Sequence, residues 1–352
     1  MTDKLNRFFK PKKMSDDQPV FNTTDDLFLG GTPPLGGADN MFPPAGLPPM
    51  GKLPSLKDGK LSENRKIPLA DITWVKRKYL DVPYALQSPA QKLDIFLPDS
   101  GDKPFPVIFY IHGGGWQICD KRDAFVLDML KGLMRGYAVI AINYRLSGEA
   151  IFPAQIYDLK TALRYIKANA DDYLLDKHRI AAWGASSGGH LAALLGTSVG
   201  VAELEDFSTG FVEENTEVIA VIDWFGPTQD FLQMDTQLIE TGNGKPDHSQ
   251  KGSPESCLLG EQITLVPELV EKASPMTYIR PNVPYFLIQH GYHDQLVPVQ
   301  QSINFAAQLE SIAGKDKVIL DVFMDHIYHA DPYFNSEENL SKVYAFLDSH
   351  LR

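Results

Sequence analysis

The chain has 352 residues, 43% of them hydrophobic and 22% charged, with a formal net charge of -12. That length and composition suit one large α/β domain or two modest ones, and the acidic balance argues against nucleic acid and anionic membranes as main partners. The two cysteines, Cys119 and Cys257, form no CxxC pair, so neither a zinc site nor a disulfide framework is expected.

The first 65 residues are dense in Gly and Pro, as in LGGTPPLGGADNMFPPAGLPPMGKLP, and show no period of 2 or 3.6. Such a segment buries too little apolar surface to offset its ordering entropy, so a disordered or loosely docked tail is expected. The sharper alternative is a partner-binding or oligomer-forming arm anchored by Leu35, Met41, Phe42 and Leu47. The N-terminus lacks the apolar run of a signal peptide, and no stretch of about 18 uncharged apolar residues could span a membrane. A cytoplasmic location is therefore the expectation.

Residues 66–352 read as one domain. Strand-like runs occupy 72–79, 92–97, 106–112, 137–143, 179–183, 218–224, 284–290 and 317–323. Helical periodicity occupies 122–135, 154–169, 188–198, 298–313 and 337–350. The continuously apolar central strands, alternating with helices, predict an α/β fold with a mostly parallel eight-stranded sheet covered on both faces. No helix separates the first two strands, so that edge is expected to be antiparallel. Residues 228–272 break the rhythm with Gly, Pro and polar residues, and predict a small cap or loop insertion that shapes a pocket.

Gly184-Ala185-Ser186-Ser187-Gly188 fits G-x-S-x-G, with a strand running in and a helix running out. A serine on that turn needs small residues two before and two after it, because strand and helix approach closely. Ser186 is the candidate nucleophile. The backbone N–H of Ser187, at the helix start, is a candidate oxyanion donor. The plainer alternative is a structural glycine turn.

His112-Gly113-Gly114-Gly115 directly follows a buried strand. Three consecutive glycines cost conformational entropy, and the inferred return is close backbone approach, with Gly114 and Gly115 N–H groups aimed at a developing negative oxygen. A phosphate loop is disfavoured, because no Lys-Ser/Thr and no G-x-G-x-x-G spacing follows. Trp116 is expected beside the pocket, and His112 as an anchor of the loop.

A nucleophilic serine needs a base oriented by a carboxylate. Asp294 stands in the loop after the strand ending at His290-Gly291, where functional groups of open α/β sheets collect. His293, beside it, is expected to face away. Two histidines, His326 and His329, follow the last strand, and spacing alone leaves both open as the base. His190 and His290 read as structural.

These motifs carry a resemblance over about residues 70–352. LDIFLP, HGGGW, NYRL, FPAQIYDLK, RIAAWGASSGGHLAALLG, SPMTYI, LIQHGYHDQLVPVQQS and HADPYF occur in order. The chain resembles α/β-hydrolases of the hormone-sensitive-lipase-like and feruloyl/acetylxylan-esterase-like (BD-FAE-like) group. That resemblance implies a Ser186-Asp294-His329 triad, because IYHADPYF aligns His329 with the group's histidine, although Tyr328 and Ala330 stand where glycines usually flank it. It also implies that Arg145 and Asp158 are supports and that no metal or organic cofactor is used. The implied activity is hydrolysis of carboxylic esters, of short acyl chains or of acetylated or feruloylated sugars, through an acyl-enzyme, falling below about pH 6–7 as the base protonates. Rival expectations are an arylformamidase-like amidase, a prolyl-oligopeptidase-like peptidase, and a non-catalytic binding protein on the same fold. The peptidase reading lacks the large N-terminal β domain such enzymes carry. Whether copies associate as a homo-oligomer is left open by the sequence.

Overall fold

A computed structural model describes residues 67–352. The expectations placed on residues 1–65, the tail and its four apolar anchors, lie outside the described residues.

Eight strands form one sheet: β1 (Arg77–Pro83), β2 (Lys92–Leu97), β3 (Phe105–Ile111), β4 (Ala138–Ile142), β5 (Leu175–Ala185), β6 (Ala220–Trp224), β7 (Tyr285–Gly291) and β8 (Val318–Phe323). Their spatial order is β1-β2-β4-β3-β5-β6-β7-β8. β1 with β2 and β2 with β4 pair antiparallel, and every other pair is parallel. Every residue of β3, β4 and β6 is buried, as in strands covered on both sides; β3 and β4 are apolar throughout, and β6 buries Asp223 among apolar residues.

Alternate β3 side chains feed two separate cores. Val107, Phe109 and Ile111 join one cluster with α2 (Ala154–Ala168), α3 (Ser187–Thr197) and α7 (Gln300–Ala313). Ile108 and Tyr110 join the other, with α1 (Leu127–Leu130) and α8 (Glu337–Leu351). Helices thus cover both faces.

Two expected boundaries shift. The first strand begins at Arg77, not at 72, because the Asp71 carboxylate accepts hydrogen bonds from Thr73 N and Oγ1 and bends Ile72–Val75 into a turn. The expected helix at 122–135 is broken into 3₁₀ turns at Ala124–Val126 and Lys131–Arg135 around the four-residue α1. Gly132, a poor helix former, sits there against Ile108 and Tyr344, where a Cβ would crowd both.

Residues 228–272 contain α4 (Met234–Thr241) and α5 (Pro254–Leu259) and most of α6 (Pro267–Ala273). Strand order reverses direction at β3, whose neighbours are β4 and β5, and the crevice beyond such a point is where open α/β sheets bind ligands. Among the described residues, no helix is long and apolar enough to cross a membrane.

Candidate active site

The β5–α3 turn fixes Ser186 in a conformation that L-residues rarely adopt, φ 56° and ψ -125°. Such strain persists only when neighbours over-determine it. Here Ser186 N donates to Trp224 O at 2.8 Å, and Ser186 O accepts from His190 N at 3.0 Å. A Cβ on Gly184 would strike the Gly188 carbonyl, so the first glycine of the motif is demanded by the crossing of strand and helix.

The loop after β3 is held from behind. His112 Nδ1–H donates to Gly113 O at 2.8 Å, its ring stacks on Tyr144, and the Tyr144 hydroxyl donates to His112 O at 3.0 Å. Burial holds the His112 imidazole down at about 4, so it is neutral and serves as an anchor. Gly114 has φ +104°, and a Cβ there would meet the Ile118 carbonyl. Among the described residues, neither Gly114 N nor Gly115 N finds a hydrogen-bond acceptor. Trp116 Nε1 donates to His190 Nδ1 at 3.2 Å, and His190 Nε2–H donates to Ala273 O at 2.8 Å. This ties the glycine loop to α3 and to α6. Arg145 and Asp158 form a two-pronged ion pair at 2.7 Å and 2.9 Å, and Ser147 N, two residues on from Arg145, donates to Trp116 O at 2.8 Å.

Ser186, His329 and Asp294 come together from three distant parts of the chain. His329 Nε2 lies 2.9 Å from Ser186 Oγ, and His329 Nδ1 lies 2.7 Å from Asp294 Oδ2. Asp294 is 1% exposed. Its Oδ1 accepts from Leu296 N at 2.8 Å and Val297 N at 2.9 Å. Burial alone would raise its pKa, but the imidazoles of His329 and His290 outweigh it and hold the carboxyl well below the usual carboxylate range.

His326, the rival base, is not brought to Ser186. Its ring packs 5.1 Å from that of His293, and neither residue lines the cavity. The missing glycine after His329 is accommodated by Ala330 itself, which adopts φ 54°. Phe225 packs edge-on against the His329 ring at 4.7 Å.

Sequence reasoning gave His290 no more than a structural place, and the structure gives it a particular one. Its Nε2–H donates to Val297 O at 2.9 Å and reaches Asp294 Oδ2 at 3.2 Å, while Nδ1 accepts from Ser302 Oγ at 2.7 Å. It therefore helps to position Asp294 from beneath. Its place four residues before Asp294 was the sole sequence hint.

Ser186, Ser187, Gly114, Gly115 and His329 line one cavity of about 530 Å³. A family model described as BD-FAE matches residues 93–309, more than half of the chain. The chain belongs to the BD-FAE family. The matched span includes the Ser186 turn and Asp294 and ends before His329. The sheet and its relatives make the fold that of an α/β hydrolase.

This BD-FAE chain is 30% identical over 275 residues to the Mycobacterium tuberculosis protein described as probable carboxylic ester hydrolase LipM, covering 75% of this chain and 61% of that one. Esterase LipC of the same organism is 28% identical, covering 64% and 53%. The chain thus spans less than two thirds of the length of these relatives. Among solved structures, a truncated carbohydrate esterase from gut microbiota is 29% identical with TM-score 0.70, over 80% of this chain and 99% of that one.

Proposed function

We propose that the protein is a serine carboxylesterase. The observation that carries this reading is the Ser186 Oγ–His329 Nε2–Asp294 alignment, 2.9 Å and 2.7 Å, beside two glycine amides without acceptors among the described residues. Asp294 keeps the proton on His329 Nδ1, which leaves Nε2 free to take the Ser186 proton. Ser186 Oγ attacks the ester carbonyl. The N–H groups of Gly114, Gly115 and Ser187 stabilise the oxyanion, each worth about 10²–10³ in rate. The intermediate collapses as His329 protonates the leaving alcohol, and water then repeats the sequence on the acyl-enzyme.

Short acyl groups and acetylated or feruloylated sugars are the proposed substrates. The carbohydrate-esterase neighbour supports the sugar class, and a cavity of about 530 Å³ suits a compact ester better than a triglyceride. Ser186→Ala is expected to lower kcat on p-nitrophenyl acetate by at least about 10⁴-fold and to abolish labelling by a fluorophosphonate. A Ser186→Ala protein as active as the parent overturns the reading.

A further inference from the structure

Part of the cavity wall takes no part in the hydrolytic steps. Tyr110, Asp123, Phe125, Met129, Phe334 and Asn335 line it. Tyr110, Met129 and Phe334 belong to one core cluster, and Phe125 packs against it, so this lobe is largely apolar. Three polar groups interrupt it.

Tyr110 is 2% exposed, and its hydroxyl has no hydrogen-bond partner among the described residues. The hydroxyl is not one of the polar atoms sealed in the interior, so the cavity reaches it. Asn335 Nδ2 donates to Asp128 Oδ2. A carboxylate only accepts, so the amide nitrogen must face Asp128, and Asn335 Oδ1 is left as a free acceptor among the described residues. Asp123 is 6% exposed. Its Oδ2 accepts from Asp120 N at 2.9 Å, and the Cys119 thiol also faces the carboxylate, but neither neutralises the charge. Burial pushes the Asp123 carboxyl up, the direction of an acid without a counter-charge. Asp128, by contrast, is paired with Lys131 at 2.9 Å.

The three groups share one neighbourhood. Burial, and after it Cys119, Asp123, Tyr144 and Asp128, push the Tyr110 hydroxyl well above its usual range, so Asp123 and the partner of Asn335 both lie within electrostatic reach of it. Three acceptors, one of them charged, match a primary ammonium group, which has three donors and no acceptor. A neutral hydroxyl has one proton and leaves two acceptors unmet. The wider cavity has the same sign: Asp120, Asp247 and Glu255 also line it, with His248 and His329 but no Lys or Arg. Resting on the esterase reading, we infer that Tyr110, Asp123 and Asn335 form a subsite for a primary ammonium group carried by the ester. The substrate class is an aminoalkyl ester, preferred over neutral and anionic esters of the same shape.

The test uses two pairs of esters in which a terminal ammonium replaces a methyl group. Ethyl 6-aminohexanoate against ethyl heptanoate places the charge on the acyl side, and 6-aminohexyl acetate against heptyl acetate places it on the alcohol side. The amines are protonated at neutral pH. The quantity read is the ratio of kcat/KM within each pair, so a general loss of active enzyme cancels. In the parent the ratio is expected to exceed one in at least one pair, which also says which side of the ester enters the lobe. In Asp123→Asn, which keeps an acceptor for Asp120 N and removes only the charge, it is expected to fall about tenfold to a hundredfold, the range of a hydrogen bond to a charged group. In Tyr110→Phe, which keeps the ring, a fall of about threefold to tenfold is expected, the range of a neutral hydrogen bond. A parent ratio at or below one in both pairs overturns the inference. So does a preference that stays within about twofold of the parent in either variant, because it then belongs to the overall charge of the chain, -12, and not to this subsite. Both results leave the esterase reading intact. A parent that hydrolyses none of these esters nor p-nitrophenyl acetate and resists a fluorophosphonate overturns the esterase reading itself.

Discussion

Replacing Asp294 by Asn separates the orienting role of the carboxylate from its shape. The two oxygens of Asp294 are not equivalent. Oδ1 accepts from two backbone N–H groups, Leu296 and Val297, at 2.8 Å and 2.9 Å. Oδ2 faces His329 Nδ1 at 2.7 Å and His290 Nε2 at 3.2 Å. An Asn side chain must place its carbonyl oxygen where Oδ1 was, because its NH₂ cannot face two amide donors. The NH₂ then lies at the Oδ2 position and meets His329 Nδ1, which must give up its proton and accept. That forces the other tautomer, with the proton on Nε2, the atom 2.9 Å from Ser186 Oγ. The base is then blocked with every heavy atom in place. A loss of about 10⁴ in kcat is expected, as for tautomer reversal in serine-protease triads, or about 5.5 kcal/mol of barrier. The assay is p-nitrophenyl acetate hydrolysis at saturating substrate, with thermal melting to show that the fold persists. A loss below about tenfold in a folded protein would refute the argument, since it would mean that Asp294 does not choose the tautomer.

Two further outcomes follow from the geometry. Gly114→Ala introduces a Cβ against the Ile118 carbonyl at φ +104°; it is expected to lower kcat about 10²–10³-fold with a smaller effect on KM, read from steady-state kinetics on the same ester. Thermal midpoints should peak near neutral pH. Burial holds His112 and His190 at about 4, so between about 6.5 and 4 the unfolded chain binds protons that the fold refuses, and stability falls as pH drops, by up to about 3 kcal/mol per histidine. His248 has the opposite sign: burial would lower it, but Glu255 and Asp235 outweigh this and push it up to about 9, so its contribution is full below 6.5 and is lost as pH rises through 9. The His248→Leu/Glu255→Leu protein should lose the alkaline limb and keep the acid one, and a melting profile unchanged above pH 7 would contradict the assignment.

The parts of the molecule legible in its sequence are those where the backbone itself is constrained. β3 and β4 read as buried strands because all their residues are apolar and both faces are covered. Gly184 read as part of a tight elbow because no side chain fits against Gly188. Where a local side chain competes with the pattern, the pattern misleads. Asp71 captures Thr73 and delays the first strand by five residues, and Gly132 loosens a segment whose apolar spacing is helical.

The partnerships within the candidate site are the least legible, because they depend on which face of a loop a side chain takes. His326 and His329 sit three residues apart after the same strand, and only the path of the loop separates them. Ala330 at φ 54° turns His329 toward Ser186, while the exposed His326 packs at a tilt against His293. The same holds for the cap. Its sequence, rich in Gly, Pro and polar residues, announces a loop but not that His248 and Glu255 will be buried as a charged pair. Burying both charges costs stability that packed apolar residues would not.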